Sequence, residues 1–136
     1  MTEPVDRFPR LPHAAPFLLL DRVLEIGERS GVFVKMVSAA DPCVGRDGVL
    51  PAAFVIEALA QGGGAFLAAR GPEAGAGGYL AAVDDFRVLE DVRVGDEMRI
   101  EVEVVRYFAG AILFRGRAVV GGKLCAEGRV TLKPPR

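Results

Sequence analysis

The sequence predicts an α+β domain in which an antiparallel sheet wraps around one long central helix. Three observations point there. Strand signals at residues 17–26 and 32–38 precede a single helical segment at 51–70. That segment is apolar on every side apart from Glu57 and Gln61, and four further strand signals follow it as a meander. A helix without a polar face needs cover all round, and in a chain of 136 residues a curved sheet is the element that supplies it.

Each element has its own local reason. Pro4, Pro9, Pro12 and Pro16 make residues 1–16 an irregular segment over the surface. A polar turn at 27–31 separates the first two strands, and residues 41–50 form a loop rich in turn formers. Pro51 sits at the helix start, where a missing N–H costs nothing. The Gly- and Ala-rich stretch 71–78 ends the helix. Strands are expected at 78–89, 98–106, 112–120 and 124–132, with turns at Val94-Gly95-Asp96 and Gly121-Gly122. In the second of these, Met98, Ile100, Val102 and Val104 alternate with Arg99, Glu101 and Glu103. In the last, strict alternation turns Leu124, Ala126, Gly128, Val130 and Leu132 inward. It leaves Cys125 outside with Glu127, Arg129 and Thr131. Residues 1–136 read as a single domain without internal repeats. An exposed sheet edge and a half-covered helix favour a dimer.

Composition excludes several classes. A net charge of −1 without any basic run argues against a nucleic-acid or membrane-surface binder. The N-terminus lacks the apolar core of a secretory signal, and the apolar stretches 17–20 and 52–56 are too short to span a bilayer. Cys43 and Cys125 form no CxxC pair, and His13 is the only histidine, so no metal or redox cofactor is implied. A cytoplasmic protein with reduced thiols is the expectation.

Glu57 stands out on physical grounds. A carboxylate within an apolar helix is costly to ionise, so it is paired or held neutral. Gln61 lies at i+4 on the same face, where its amide can donate to that carboxyl. The stripe continues through Gly64 and Ala68, becoming small. A buried Glu with a raised pKa is what a general acid needs at neutral pH. The run Gly62-Gly63-Gly64 has two readings: a frayed second half of the helix, or bare backbone that makes room for close packing or an acyl chain.

Four pieces, in order, carry a family resemblance. Leu11-Pro12-His13 with Pro16-Phe17-Leu18-Leu19-Leu20-Asp21-Arg22-Val23 resembles the opening L-P-H-R-x-P-F-L-L-V-D-R-V of the FabZ/FabA-type 3-hydroxyacyl-thioester dehydratases. Leu50-Pro51, then Glu57-Ala58-x-Ala60-Gln61, is similar to their M-P-G-V-L-x-x-E-A-x-A-Q. Asp85-Phe86-Arg87 through Val94-Gly95-Asp96, and Arg115-Gly116-Arg117-Ala118 with Gly122-Lys123-Leu124-Cys125-Ala126-Glu127, match the two closing motifs. The resemblance covers nearly the whole chain and implies a hot-dog fold.

It also implies a reaction: elimination of water from a 3-hydroxyacyl thioester to leave a 2-enoyl thioester. Glu57 would be the general acid; Pro51 would open the helix beside the substrate, and the N–H groups of Ala52 and Ala53 after it would hold the developing charge on the thioester oxygen. Gln61, Cys43 and Gly64 would line the substrate. The family's base is the His of G-H-F-P on the loop before the helix, and that motif is absent. Counted back from Glu57 without a gap, its place falls on Cys43; aligned from Asp41-Pro42, it is deleted. His13, Cys43, Asp41 and Asp47 are the candidates for the missing base. The implied partners are an acyl chain on acyl carrier protein or coenzyme A, and a second hot-dog chain in a homodimer or heterodimer. A non-catalytic acyl-thioester-binding subunit and an acyl thioesterase are the alternatives.

Overall fold

The computed structural model describes residues 19–70 and 79–133. Residues 1–16, the Leu11-Pro12-His13 motif and the stretch 71–78 lie outside the described residues. Among the described residues, six strands and one helix run in the order β1 (Arg22–Ile26), β2 (Ser30–Met36), α1 (Ala52–Ala69), β3 (Tyr79–Val88), β4 (Glu97–Phe108), β5 (Ala111–Val120) and β6 (Lys123–Lys133). They form one antiparallel sheet in the order β1-β2-β4-β5-β6-β3, the hot-dog architecture expected from the sequence. The connection through α1 carries the chain from one side of the sheet to the opposite edge.

The core lies between α1 and the inward sheet face. Met98, Ile100, Val102 and Val104 are buried, in the alternation their spacing predicts. Phe33, Phe66 and Phe114 are fully enclosed, each worth about 2 kcal/mol of burial. Phe66 meets Phe114 edge-on, with ring centroids 6.0 Å apart. At the far end of the helix, Arg70 donates to the carbonyls of Gly27 and Glu28, tying α1 to the β1–β2 turn. By length and composition Ala52–Ala69 could cross a membrane, contrary to the count of uninterrupted apolar stretches; 61% of it is buried inside the protein.

Close packing is the role of two of the helix glycines. A Cβ on Gly63 would stand 2.9 Å from Leu132 Cδ1 and 3.1 Å from the Phe114 ring, and one on Gly62 would stand 3.0 Å from Ile100 Cγ2. The helix remains continuous through both. Bare backbone here lets α1 sit down on β4, β5 and β6, and the frayed-helix reading is set aside.

Two expectations are corrected. Cys125 is 3% exposed and belongs to the core, not to the outer face. Ala118 pairs with Ala126 but Val119 pairs with Leu124, so Cys125 is the extra residue of a β-bulge. One inserted residue reverses the alternation beyond it, turning the thiol inward and Leu124 half outward. The helix is also less enclosed than its composition suggests. Ala52 and Ala53 are exposed, while Phe54, Ile56 and Glu57 are half-buried, because the first two turns of α1 reach towards solvent and only residues 58–67 are covered all round.

At the β3 edge, Asp84 pairs with Arg129 but Arg87 pairs with Glu127, leaving Asp85 and Phe86 opposite Gly128 alone. Asp85 takes φ +52°, and the bulge turns Phe86 to pack against the core.

Candidate active site

Glu57 and Gln61 are brought together as their spacing predicts. Gln61 Nε2 donates to Glu57 Oε2 at 3.0 Å. A feature invisible in the sequence fixes the other end: Leu19 N–H donates to Gln61 Oε1 at 2.7 Å. A backbone N–H needs an acceptor, so the amide oxygen must face Leu19 and the NH2 must face the carboxyl. Gln61 is 1% exposed, whereas Glu57 is half-buried at the open end of the helix. The site therefore has a rigid inner end and a solvent-reaching outer end.

The helix start provides the second component. Pro51 is the N-cap, in extended geometry, and its carbonyl accepts both Phe54 N–H at 2.9 Å and Val55 N–H at 3.2 Å. No side chain caps this end, and no acidic residue sits in the first turn. Among the described residues the N–H groups of Ala52 and Ala53 have no acceptor, and both residues are exposed. Such a terminus carries partial positive charge. Gly64 is buried on the same stripe as Gln61, in the covered half of α1.

The connection from β2 to α1 is pinned along its length. Gly45 N–H bonds the Val49 carbonyl at 3.1 Å, Leu50 N–H bonds Val92 at 2.8 Å, and Val49 bridges Arg93. Cys43 is half-buried here and packs against the core. Burial pushes its thiol up; Lys35 pulls it down and Asp41 pushes it up by smaller amounts. The thiol form is thus favoured at neutral pH, which weakens Cys43 as a base or nucleophile. Asp47 accepts Val49 N–H at 3.1 Å in a turn and is exposed. Asp41 is engaged by Ser38 N–H at 2.8 Å and by Lys35 Nζ at 3.2 Å. Both carboxylates are thereby occupied in shaping the loop. His13 lies outside the described residues.

Lys35 was missed by motif reading. It is 3% exposed, on the same face of β2 as Phe33 and Val37. The signal was present in Phe33-Val34-Lys35-Met36-Val37, where alternation puts a lysine at an inward position.

Comparisons with known proteins agree with this fold. A family profile described as ApeP-like, ApeP dehydratase, matches residues 7–136. The chain is 37% identical over 127 residues to the 3-hydroxyacyl-(acyl-carrier-protein) dehydratase FabZ of Actinobacillus succinogenes, covering 88% of this chain and 84% of that protein. It is 38% identical over 128 residues to the FabZ of Symbiobacterium thermophilum, covering 90% and 89% respectively. Among solved structures, the dehydratase heterocomplex ApeI:P from Xenorhabdus doucetiae matches with a TM-score of 0.85 at 27% identity, covering 98% of this chain and 92% of that one. A sequence match over nearly the full length, on a sheet and helix of the same architecture, shows that this chain belongs to the ApeP-like family of hot-dog dehydratases.

Proposed function

We propose that the protein removes water from a 3-hydroxyacyl thioester, carried on acyl carrier protein or coenzyme A, with Glu57 as the general acid. The observation that carries this reading is the Leu19–Gln61–Glu57 chain of hydrogen bonds beside an uncapped helix start. A base takes the proton from C2 as negative charge builds on the thioester oxygen. The Ala52 and Ala53 N–H groups are suited to hold that charge, at a cost in rate of about a hundredfold or more if such a donor is lost. The C3–O bond breaks as Glu57 delivers a proton to the departing hydroxyl, giving water and a C2–C3 double bond. The Gln61 bond to Oε2 orients the carboxyl.

His13 is the proposed base. In the sequence it stands six residues before Leu19, which is fastened to Gln61 one turn from Glu57. The test is hydration of a short 2-enoyl thioester, followed through loss of the conjugated-thioester absorbance. Turnover that vanishes in both Glu57→Gln and His13→Ala supports the assignment. Full turnover in Glu57→Gln sinks it, and binding without any turnover favours the acyl-thioester-binding subunit. Release of free thiol would identify a thioesterase.

A dimer is part of this reading, with either a second copy or a different hot-dog chain. β3 is an edge of the sheet, and Leu80, Val83, Val88 and the adjoining Leu89 are exposed along it. The relative in the ApeI:P heterocomplex is described as part of a two-component dehydratase, which supports the heteromeric option. The proposed compartment is the cytoplasm, and residues 1–136 are proposed to act as one domain.

A further inference from the structure

Lys35 is the one charged side chain in the buried set of the described residues. Its ammonium group, on the helix-facing side of β2, is 3.2 Å from Asp41 Oδ2, and the two side chains are 4% and 24% exposed. Burying an ammonium costs several kcal/mol unless it is paired, and a hydrophobic residue of the same volume is often as stable or more so. Lys35 is therefore a poor choice for stability alone. What it holds is the start of the connection leading to α1. The same Asp41 oxygen accepts Ser38 N–H at 2.8 Å. Asp41 N–H bonds the Ser38 carbonyl at 3.0 Å, and its own carbonyl accepts Val44 N–H at 3.1 Å. Residues 38–41 are thus wound around one carboxylate, and Cys43 lies in the turn that follows, closed by Val44 N–H on the Asp41 carbonyl. Cys43 is half-buried and packs against the core two residues beyond Asp41.

We infer that the buried Lys35–Asp41 ion pair is a latch that holds residues 38–50 in one arrangement in front of the start of α1, making Lys35 a positioning residue for the site built on Glu57 and the Ala52 and Ala53 N–H groups. The loop runs from the latch through the Gly45–Val49 turn to Leu50 and Pro51. Displacement at its start is transmitted to the helix cap, because the intervening residues are already fixed to one another. The inference rests on the dehydratase reading for its kinetic arm only.

Cys43 reports on the latch directly. In a Cys125→Ala background, the rate at which a disulfide reagent modifies Cys43 measures how often the loop opens. Lys35→Met keeps the side-chain volume, removes the charge and leaves Asp41 bound to Ser38. In Lys35→Met, labelling should quicken by about tenfold while the melting temperature holds. Lys35→Arg should restore slow labelling. Asp41→Asn should also label quickly, and its combination with Lys35→Met should label no faster than the quicker single variant, as expected of two halves of one interaction. Kinetically, Lys35→Met should lower kcat by roughly fivefold with KM within about twofold, the sign of a misplaced reacting geometry. Labelling within about twofold of the parent in Lys35→Met overturns the latch. Fast labelling with unchanged kcat overturns its link to the site. If the parent itself shows no turnover, the dehydratase reading fails while the labelling rates still decide the latch.

Discussion

Gln61 decides which way the Glu57 carboxyl faces, and Leu19 decides which way Gln61 faces. Two predictions follow from that relay. Glu57→Gln keeps the shape and removes the acid, so turnover should fall by about 100- to 10,000-fold in the enoyl-thioester assay with melting temperature nearly unchanged. Gln61→Leu strands the buried Leu19 N–H without an acceptor. Urea unfolding should show a loss of about 1–3 kcal/mol, and kcat should fall because the carboxyl is no longer oriented. The two thiols set a pH dependence. Burial raises both Cys43 and Cys125, so the folded state holds these protons more tightly than the unfolded chain does. Stability from this source is complete below the ordinary thiol range and is lost as pH rises through it and beyond. Denaturation midpoints should therefore decline on the alkaline side, and the double variant Cys43→Ser with Cys125→Ala should flatten that decline.

For α1 the balance lies between helix propensity and contact distance. Gly63→Ala gains about 1 kcal/mol of helix propensity, but its methyl meets Leu132 and Phe114 at 2.9 and 3.1 Å. Overpacking of that kind costs about 1–3 kcal/mol, so the variant should be net destabilised and melt a few degrees lower by calorimetry. The strands show where local pattern suffices and where it fails. β4 was legible because its apolar and charged residues alternate without interruption from Met98 to Val104. β6 was not, because the bulge at Cys125 depends on how β5 lies beside it. The hairpin between them was legible again: Gly121 and Gly122 adopt φ +58° and +79°, the left-handed pair that a two-residue turn needs.

Across the whole molecule, exposed apolar side chains gather along one sheet edge, β3. Val83 pairs with Val130, so it lies on the helix side of β3 while remaining exposed. A chain joining along β3 would cover it and extend the sheet. If the proposed dimer forms along β3, Val83→Lys should convert it to a monomer in light scattering coupled to size-exclusion chromatography. The monomer should also lose activity, if the substrate site is shared between chains. A mass unchanged by Val83→Lys would place the interface elsewhere.

By itself the sequence determined the order of elements, the one apolar helix, the inward face of β4 and the partnership of Glu57 with Gln61. These depend on residues within a turn or a strand of each other, where periodicity and i, i+4 spacing act directly. The tertiary structure alone decided the rest. It brought Leu19 to Gln61 across 42 positions, turned Cys125 inward through a neighbouring strand, and gave Gly62 and Gly63 their purpose in contacts to β4, β5 and β6. The Leu19 bond and the glycine contacts require segments distant in sequence to meet at a particular register, and no local pattern encodes that meeting.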